Sequence, residues 1–282
     1  MTTVHSGTRR RSLARHGFLT GVTVLLSLPM YILLINAFKS EADIITDPLG
    51  FTASRLTFDN LAAAFTSESF DVAGGYLNSL WITVGTVGGC VLMGGMCSYV
   101  LARAGGKKAV IGYTVLVCGL LVPTQTMLIP LVYLMYTVGL LGSPVGVILF
   151  EIAARLPFTV LVYTGFIRAI PRELDEAASI DGASRMGTYW RIIFPLLLPA
   201  TASIAIFVGI GTWNDYLNPS VILGPGDEQT ITTGLYAAIG PTTTSFEQVF
   251  AFLWIASIPT LLFYAFMQRY FVSGLSDGAL KG

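Results

Sequence analysis

The chain has 282 residues, 54% of them hydrophobic and only 11% charged, with 16 basic and 16 acidic side chains that leave no formal net charge. Soluble domains carry roughly 25% charged residues, and a chain of this size has too little interior to bury so much apolar surface. The composition excludes an ordinary soluble domain, places the chain in lipid, and makes nucleic acid an unexpected partner.

The first 17 residues form a basic arm carrying Arg9, Arg10, Arg11 and Arg15, together with His5 and His16, which read as solvated rather than ligating. The apolar run that follows is too long for a signal-peptide core and lacks a small-residue cleavage site, so it reads as an uncleaved span. A membrane helix needs about 20 mainly apolar residues, with every backbone group bonded internally. Segments at about 18–38, 76–102, 110–136, 145–168, 196–217 and 248–271 meet that test, so the fold class is an all-α membrane protein with six transmembrane helices. The alternate segments between them hold Arg9, Arg10, Arg11, Arg15, Arg103, Lys107, Lys108, Arg168, Arg172, Arg185, Arg191, Arg269 and Lys281, whereas the opposite loops keep Lys39 and Arg55. By the positive-inside rule, both termini are cytoplasmic.

The second span is rich in glycine, with Gly85 and Gly89 four apart and Gly94 and Ser98 again four apart, a spacing that lets helix backbones approach closely in lipid. Cys90, Cys97 and Cys118 all lie in apolar runs and read as small hydrophobes. Pro123, Pro130, Pro157 and Pro259 interrupt spans and free backbone carbonyls. Within the fourth span, Glu151 and Arg155 stand four apart in the acid-first order that favours pairing on one helix. That pair either lines a polar cavity or fixes helix packing. At the end of the fifth span, Trp213, Asn214 and Asp215 offer an aromatic face and polar groups suited to a sugar ring and its hydroxyls, with a structural or gating role equally open.

Between two apolar runs lies the most polar stretch of the membrane region, Glu173-Leu-Asp-Glu-Ala-Ala-Ser-Ile-Asp-Gly-Ala-Ser184, closed by Ile192-Ile-Phe-Pro195. Pro171 suits a first helical turn, and Glu173, Asp175 and Glu176 then meet the positive end of the helix dipole. Ala177 and Ala178 propagate the helix with a smooth face. Gly182 ends it, and Asp181 or Ser184 caps a second short helix that runs to Phe194, with Pro195 opening the next span. The expectation over 171–195 is a cytoplasmic helical hairpin. The loop 218–247, with Pro219, Gly224, Pro225, Gly226, Gly240 and Pro241, reads as an ordered but irregular external excursion.

The spacing Glu-Ala-Ala, two residues, Asp-Gly-Ala, eight residues, Ile-x-x-Pro resembles the coupling loop of binding-protein-dependent ABC importer permeases. Nearly the whole chain is similar to the sugar-uptake branch, particularly the shorter maltose-type permease subunit. Asn78-Ser79, Tyr99-Val-Leu-Ala-Arg103, Pro157-Phe158, Gly165-Phe166, Ile170-Pro171, Trp213-Asn214-Asp215 and the ending Gln268-Arg-Tyr-Phe271 with Gly274 to Gly282 carry the likeness. One departure is Phe194, where members of that family usually have Leu.

The resemblance implies a permease domain over 18–271 and a cytoplasmic tail over 272–282. It gives Glu173, Glu176, Ala177, Ala178, Asp181, Gly182, Ala183 and Pro195 the task of coupling to an ATPase. Lys281 and Gly282 are given to tail contact with the same ATPase. It further implies a second permease subunit, two ATPase copies that hold the ATP and Mg, an extracytoplasmic binding protein, a carbohydrate substrate, and a bacterial or archaeal cytoplasmic membrane. No cofactor is expected on this chain: Gly105-Gly-Lys-Lys108 lacks the phosphate-loop spacing and hydroxyl, and no catalytic constellation or metal-ligand spacing appears. Import of a non-sugar solute such as a polyamine or peptide is the alternative within the class, and a stand-alone secondary transporter is an alternative outside it.

Overall fold

The structure, a computed structural model, describes residues 5–51, 56–67, 70–226, 228–238 and 245–279, and every element in them is helical. Residues 1–69 and 238–258 form one compact unit, and residues 70–237 and 259–282 form a second.

The first unit begins with α1 (His5–Asn36). Its segment Arg15–Asn36 is long and apolar enough to cross a membrane, and only 6% of its most apolar stretch is buried. Two short helices follow, α2 (Glu41–Thr46) and α3 (Asp59–Phe65). They are held by side chains that reach backbone carbonyls. Asn36 Nδ2 donates to Pro48 O at 3.1 Å, Lys39 Nζ to Asp47 O at 2.7 Å, and Asn60 Nδ2 to Lys39 O at 2.7 Å. Lys39, one of the few basic residues outside the predicted cytoplasmic segments, is therefore an internal donor that is almost wholly buried.

The second unit opens with α4 (Val72–Gly89), continues through a π-helical segment, Cys90–Gly94, and ends in α5 (Gly95–Arg103). These three make one apolar helix from Val72 to Arg103. α6 (Lys107–Cys118) and α7 (Leu128–Thr137) come next, and the helical stretches Lys107–Leu121 and Thr124–Thr137 meet at 92°. The predicted third span is thus sharply broken beside Pro123, which lacks the N–H that would continue the helix. α8 (Pro144–Ala169) is straightforward: Ser143 Oγ accepts the Val145 N–H at 3.2 Å, Pro144 occupies the first turn, and half of its most apolar stretch is buried.

The glycine stripe of the second span packs on α8. A Cβ added at Gly85 would stand 2.9 Å from Ile148 Cδ1, at Gly89 2.2 Å from Ile152 Cδ1, and at Gly94 2.4 Å from Thr159 Cγ2. Ser98 Oγ continues the row, donating to Val160 O at 3.4 Å. Gly89 and Gly94 are five apart, a gap that would rotate a straight α-helix off its partner. The π segment Cys90–Gly94 falls in that gap, and its wider turn keeps both glycines on one face.

After the polar hairpin described below come α12 (Leu198–Trp213), α13 (Leu217–Leu223), α14 (Ile231–Ala238) and α15 (Phe246–Ala279). The fifth span, predicted to reach 217, ends at Trp213. The region 218–247, expected to be irregular, carries two short helices among its described residues. Asn78 and Ser79 on α4 hold the second of these: Asn78 Nδ2 donates to Gln229 O at 3.1 Å, and Ser79 Oγ accepts the Ile231 N–H at 2.9 Å.

Candidate functional site

Two polar constellations stand out against the apolar frame: the hairpin between α8 and α12, and a buried knot where α8 meets the end of α12.

The hairpin's outgoing arm is α9 (Glu173–Ile180), with Glu173, Asp175 and Glu176 in its first turn. Its first backbone bonds run from the Asp175 and Glu176 N–H groups to Arg172 O, at 3.0 and 3.1 Å, so Pro171 precedes the bonded turn instead of lying in it. The arm ends in a Schellman closure. Gly182 takes φ +79°, its N–H donates to Ser179 O at 3.1 Å, and the Ala183 N–H donates to Ala178 O at 2.9 Å. Ser184, not Asp181, caps the return arm, accepting the Gly187 N–H at 3.1 Å. Asp181 terminates α9 instead.

The return arm is α10 (Arg185–Thr188), a π-helical segment Tyr189–Ile193, and α11 (Phe194–Leu196). It meets α12 at 76°. The helix beyond the bend opens with Pro199 in its first turn, while Pro195 belongs to the hairpin side. Phe194 sits in an aromatic cluster, its ring 5.1 Å from Trp190 and 5.9 Å from Tyr189. That packing gives a physical reason for a ring at this position.

Glu173, Glu176, Ala177, Asp181, Gly182, Ala183 and Pro195 are exposed, whereas Ala178 is buried. Ile180 is 86% exposed, an apolar side chain at the tip that the motif does not single out. Lys281 and Gly282 lie outside the described residues.

One acid of the hairpin turns inward. Asp175 Oδ1 accepts the Tyr99 hydroxyl at 2.6 Å, and Asp175 Oδ2 lies 2.8 Å from Arg103 Nη2. Arg103 also donates through Nη1 to Ile170 O at 3.1 Å, where α8 ends. The Tyr99 ring meets Tyr189 of the return arm at 5.3 Å. Above these contacts is a cleft of about 550 Å³ lined by Tyr99, Arg103, Asp175, Arg185 and Tyr189, among others.

The buried knot centres on Glu151, which is 1% exposed. Arg155 Nε donates to Glu151 Oε2 at 2.6 Å, and Asn218 Nδ2 reaches Glu151 Oε1 at 3.2 Å and Asp215 Oδ2 at 2.6 Å. Thr212 Oγ1 approaches Glu151 Oε2 at 3.5 Å, and Arg155 Nη2 stands 4.0 Å from Asp215 Oδ2. Asp215 also accepts the Asn218 N–H at 3.2 Å, which starts α13, and its carbonyl accepts Thr232 Oγ1 at 2.8 Å. Gly211 makes room for the guanidinium, because a Cβ there would lie 2.6 Å from Arg155 Nη1.

Of the five expected pathway residues, Glu151, Arg155 and Asp215 thus converge, with Asn218 and Thr212 as members that sequence spacing did not reveal. Trp213 and Asn214 stay out of the knot. Asn214 is exposed and donates to Ile210 O at 2.9 Å. Trp213 pairs with Tyr76 at 6.0 Å, and its buried indole N–H has no hydrogen-bond partner among the described residues. No cluster of three or more His, Cys, Asp or Glu side chains suited to a metal occurs among the described residues.

Residues 91–277 match the family model described as the binding-protein-dependent transport system inner membrane component. The chain is 31% identical to the diacetylchitobiose uptake system permease protein NgcG of Streptomyces coelicolor, over 98% of this chain and 91% of that protein. It is 33% identical to the probable starch degradation products transport system permease protein AmyC of Thermoanaerobacterium thermosulfurigenes, over 93% and 96% of the two chains. It is also 32% identical to the melibiose/raffinose/stachyose import permease protein MelC of Bacillus subtilis, over 90% and 91%. Among solved structures it resembles a chain of a bacterial ABC transporter involved in the import of the acidic polysaccharide alginate, with a TM-score of 0.79, 20% identity, and coverage of 96% of this chain and all of that one.

Proposed function

Because the chain belongs to the family of binding-protein-dependent transport system inner membrane components, we propose that it is one permease of a heteromeric ABC importer that carries a sugar or oligosaccharide. The reading rests on the solvent-facing hairpin Glu173–Leu196: a rigid knob closed at Gly182, with Glu176, Ala177 and Ile180 on its outer face. The names of the relatives, which specify diacetylchitobiose, starch products and raffinose-type sugars, support carbohydrate as the substrate class.

In this reading the chain pairs with a second permease, two copies of an ATPase dock below, and a binding protein delivers substrate from outside. Both termini face the cytoplasm. ATP and Mg belong to the ATPase, and this chain hydrolyses nothing itself. Closure of the ATPase dimer carries the hairpins inward, the spans reorient from cytoplasm-facing to outside-facing, and hydrolysis resets the assembly. The tail ending at Lys281 and Gly282 is a second contact with the ATPase.

The knot at Glu151 is a packing strut in this scheme. Both carboxylate oxygens are engaged within the chain and the side chain is 1% exposed, which keeps it from a passing solute. Trp213 and Asn214 are the pathway contacts, the first with an unpaired indole donor and the second exposed.

The test is to isolate the tagged chain from its native membrane in mild detergent and identify what co-purifies. An ATPase, a second permease and a binding protein are expected. Recovery of the chain alone or as a homo-oligomer would overturn the reading.

A further inference from the structure

The hairpin exposes Glu173, Glu176 and Ala177, yet its firmest side-chain attachments point the other way, and they converge on the last two turns of one span. Asp175 engages Tyr99 at 2.6 Å and Arg103 at 2.8 Å. These partners are four residues apart on α5, so both lie on one helix face. Arg103 holds Ile170 O as well, which fastens the end of α8, the start of α9 and the end of α5 with a single guanidinium. The return arm is tied to the same helix through Tyr189, 1% exposed, whose ring meets Tyr99 and whose hydroxyl fits against Gly95, where a Cβ would stand 2.3 Å away.

We propose that Asp175 is a positioning residue that makes α5 move with the hairpin, so that displacement of the hairpin becomes displacement of the lower part of the second span. Directly above α5 the span changes to the π segment Cys90–Gly94, the one place along Val72–Arg103 where the helical register differs. π segments inside α-helices are frequent at functional sites and at bends. The upper half, α4, is bonded near its middle, through Asn78 and Ser79, to Gln229 and Ile231. The span therefore has an upper half tied to the 229–231 segment, a joint, and a lower half clasped to the hairpin. Glu173 and Glu176, the exposed acids of the same turn, serve the outer face; Asp175 serves the inner one.

This inference rests on the importer reading, and one preparation separates the two. The chain, co-purified with its partner subunits and reconstituted in liposomes with its binding protein, is assayed for ATP hydrolysis together with uptake of whichever labelled probe, among diacetylchitobiose, raffinose and a maltodextrin, the binding protein retains. Wild-type complex that shows no ATP-driven uptake overturns the importer reading itself. Given active wild type, Asp175→Ala is expected to keep stoichiometric ATPase co-purification and at least half of the hydrolysis rate while lowering uptake per ATP at least fivefold. Tyr99→Phe, which removes one hydroxyl and no charge, is expected to lower the ratio about twofold.

Arg103→Ala combined with Asp175→Ala is expected to be no worse than the poorer single variant, because both act through one contact. Unchanged uptake per ATP in Asp175→Ala overturns the clasp. Parallel loss of ATPase binding and uptake also overturns it, by assigning Asp175 to docking. Should Asp175→Ala fail to accumulate, Tyr99→Phe carries the test alone, and an unchanged ratio there overturns the proposal.

Discussion

Two acid–arginine pairs in this chain do opposite work. Glu151 and Arg155 lie in the middle of α8 and turn toward α12 and α13, with Glu151 almost fully buried. Asp175 and Arg103 join a hairpin to the end of a span, with side chains 20% and 13% exposed. Burial separates the acids, Glu151 at 1% exposed and Asp175 at 20%, but not the arginines, at 24% and 13%. A carboxylate removed from both water and its partners leaves an uncompensated charge, so the inner pair is above all a condition for folding. The outer pair, whose meeting atoms Arg103 Nη2 and Asp175 Oδ2 are themselves buried, adds direction, because it decides which helix follows the hairpin.

The largest effect expected from breaking this contrast falls on the inner knot. Glu151→Ala strands Arg155 and Asn218, and breaking a buried pair costs about 3–5 kcal/mol. The variant is expected to lose several degrees of thermal stability in detergent and to accumulate poorly. Glu151→Gln, which keeps an acceptor for Asn218 and a similar shape, is expected to lie between it and the wild type. Equal stability of all three would contradict the strut. A milder probe from the facing helix is Gly211→Ala, whose new methyl meets the Arg155 guanidinium. Overpacking of this kind costs about 1–3 kcal/mol, and differential scanning fluorimetry of the purified complex would show it.

The hairpin should respond in the other observable. Gly182 has open space around it, so a side chain there meets no neighbour, but φ +79° penalises any β-branched residue. A left-handed conformation costs about 1–2 kcal/mol for an L-residue. Gly182→Val is expected to reach wild-type levels in the membrane, to keep its unfolding temperature within a few degrees, and to lower uptake at least tenfold. A stable variant with normal uptake would remove the hairpin from the coupling route.

How much of this was legible in sequence follows the same division. The hairpin's boundaries, its first-turn acids and its turn at Gly182 are local matters, fixed by capping and dihedral preferences over a dozen residues. They could be read directly, apart from the places of Pro171 and Pro195 and the choice between Asp181 and Ser184. The i, i+4 pair of Glu151 and Arg155 was equally local. Its partners were not: Thr212 and Asn218 are brought to it only by the packing of α12 and the turn at Asp215, and no spacing within one segment reports that. The inward-facing Asp175 was hidden for the same reason, since its partners come from a span some seventy residues earlier. The π segment between Gly89 and Gly94 is the intermediate case. The five-residue step in the glycine stripe was visible, and it acquires meaning only once Ile152 and Thr159 are seen opposite it.

The smallest expected effect is also the most local, and it turns on the cap that sequence left open. Ser184 Oγ accepts the Gly187 N–H, whereas Asp181 closes α9 through its backbone and is exposed. Loss of a serine cap costs about 1 kcal/mol, here confined to a four-residue turn at the start of the return arm. Ser184→Ala should therefore leave global unfolding unchanged while speeding amide exchange at Gly187 and Thr188 and lowering uptake about twofold. Asp181→Ala should leave exchange at those amides as it is. If Asp181→Ala speeds it and Ser184→Ala does not, the cap has been assigned to the wrong residue, and the return arm begins in solution differently from the geometry described here.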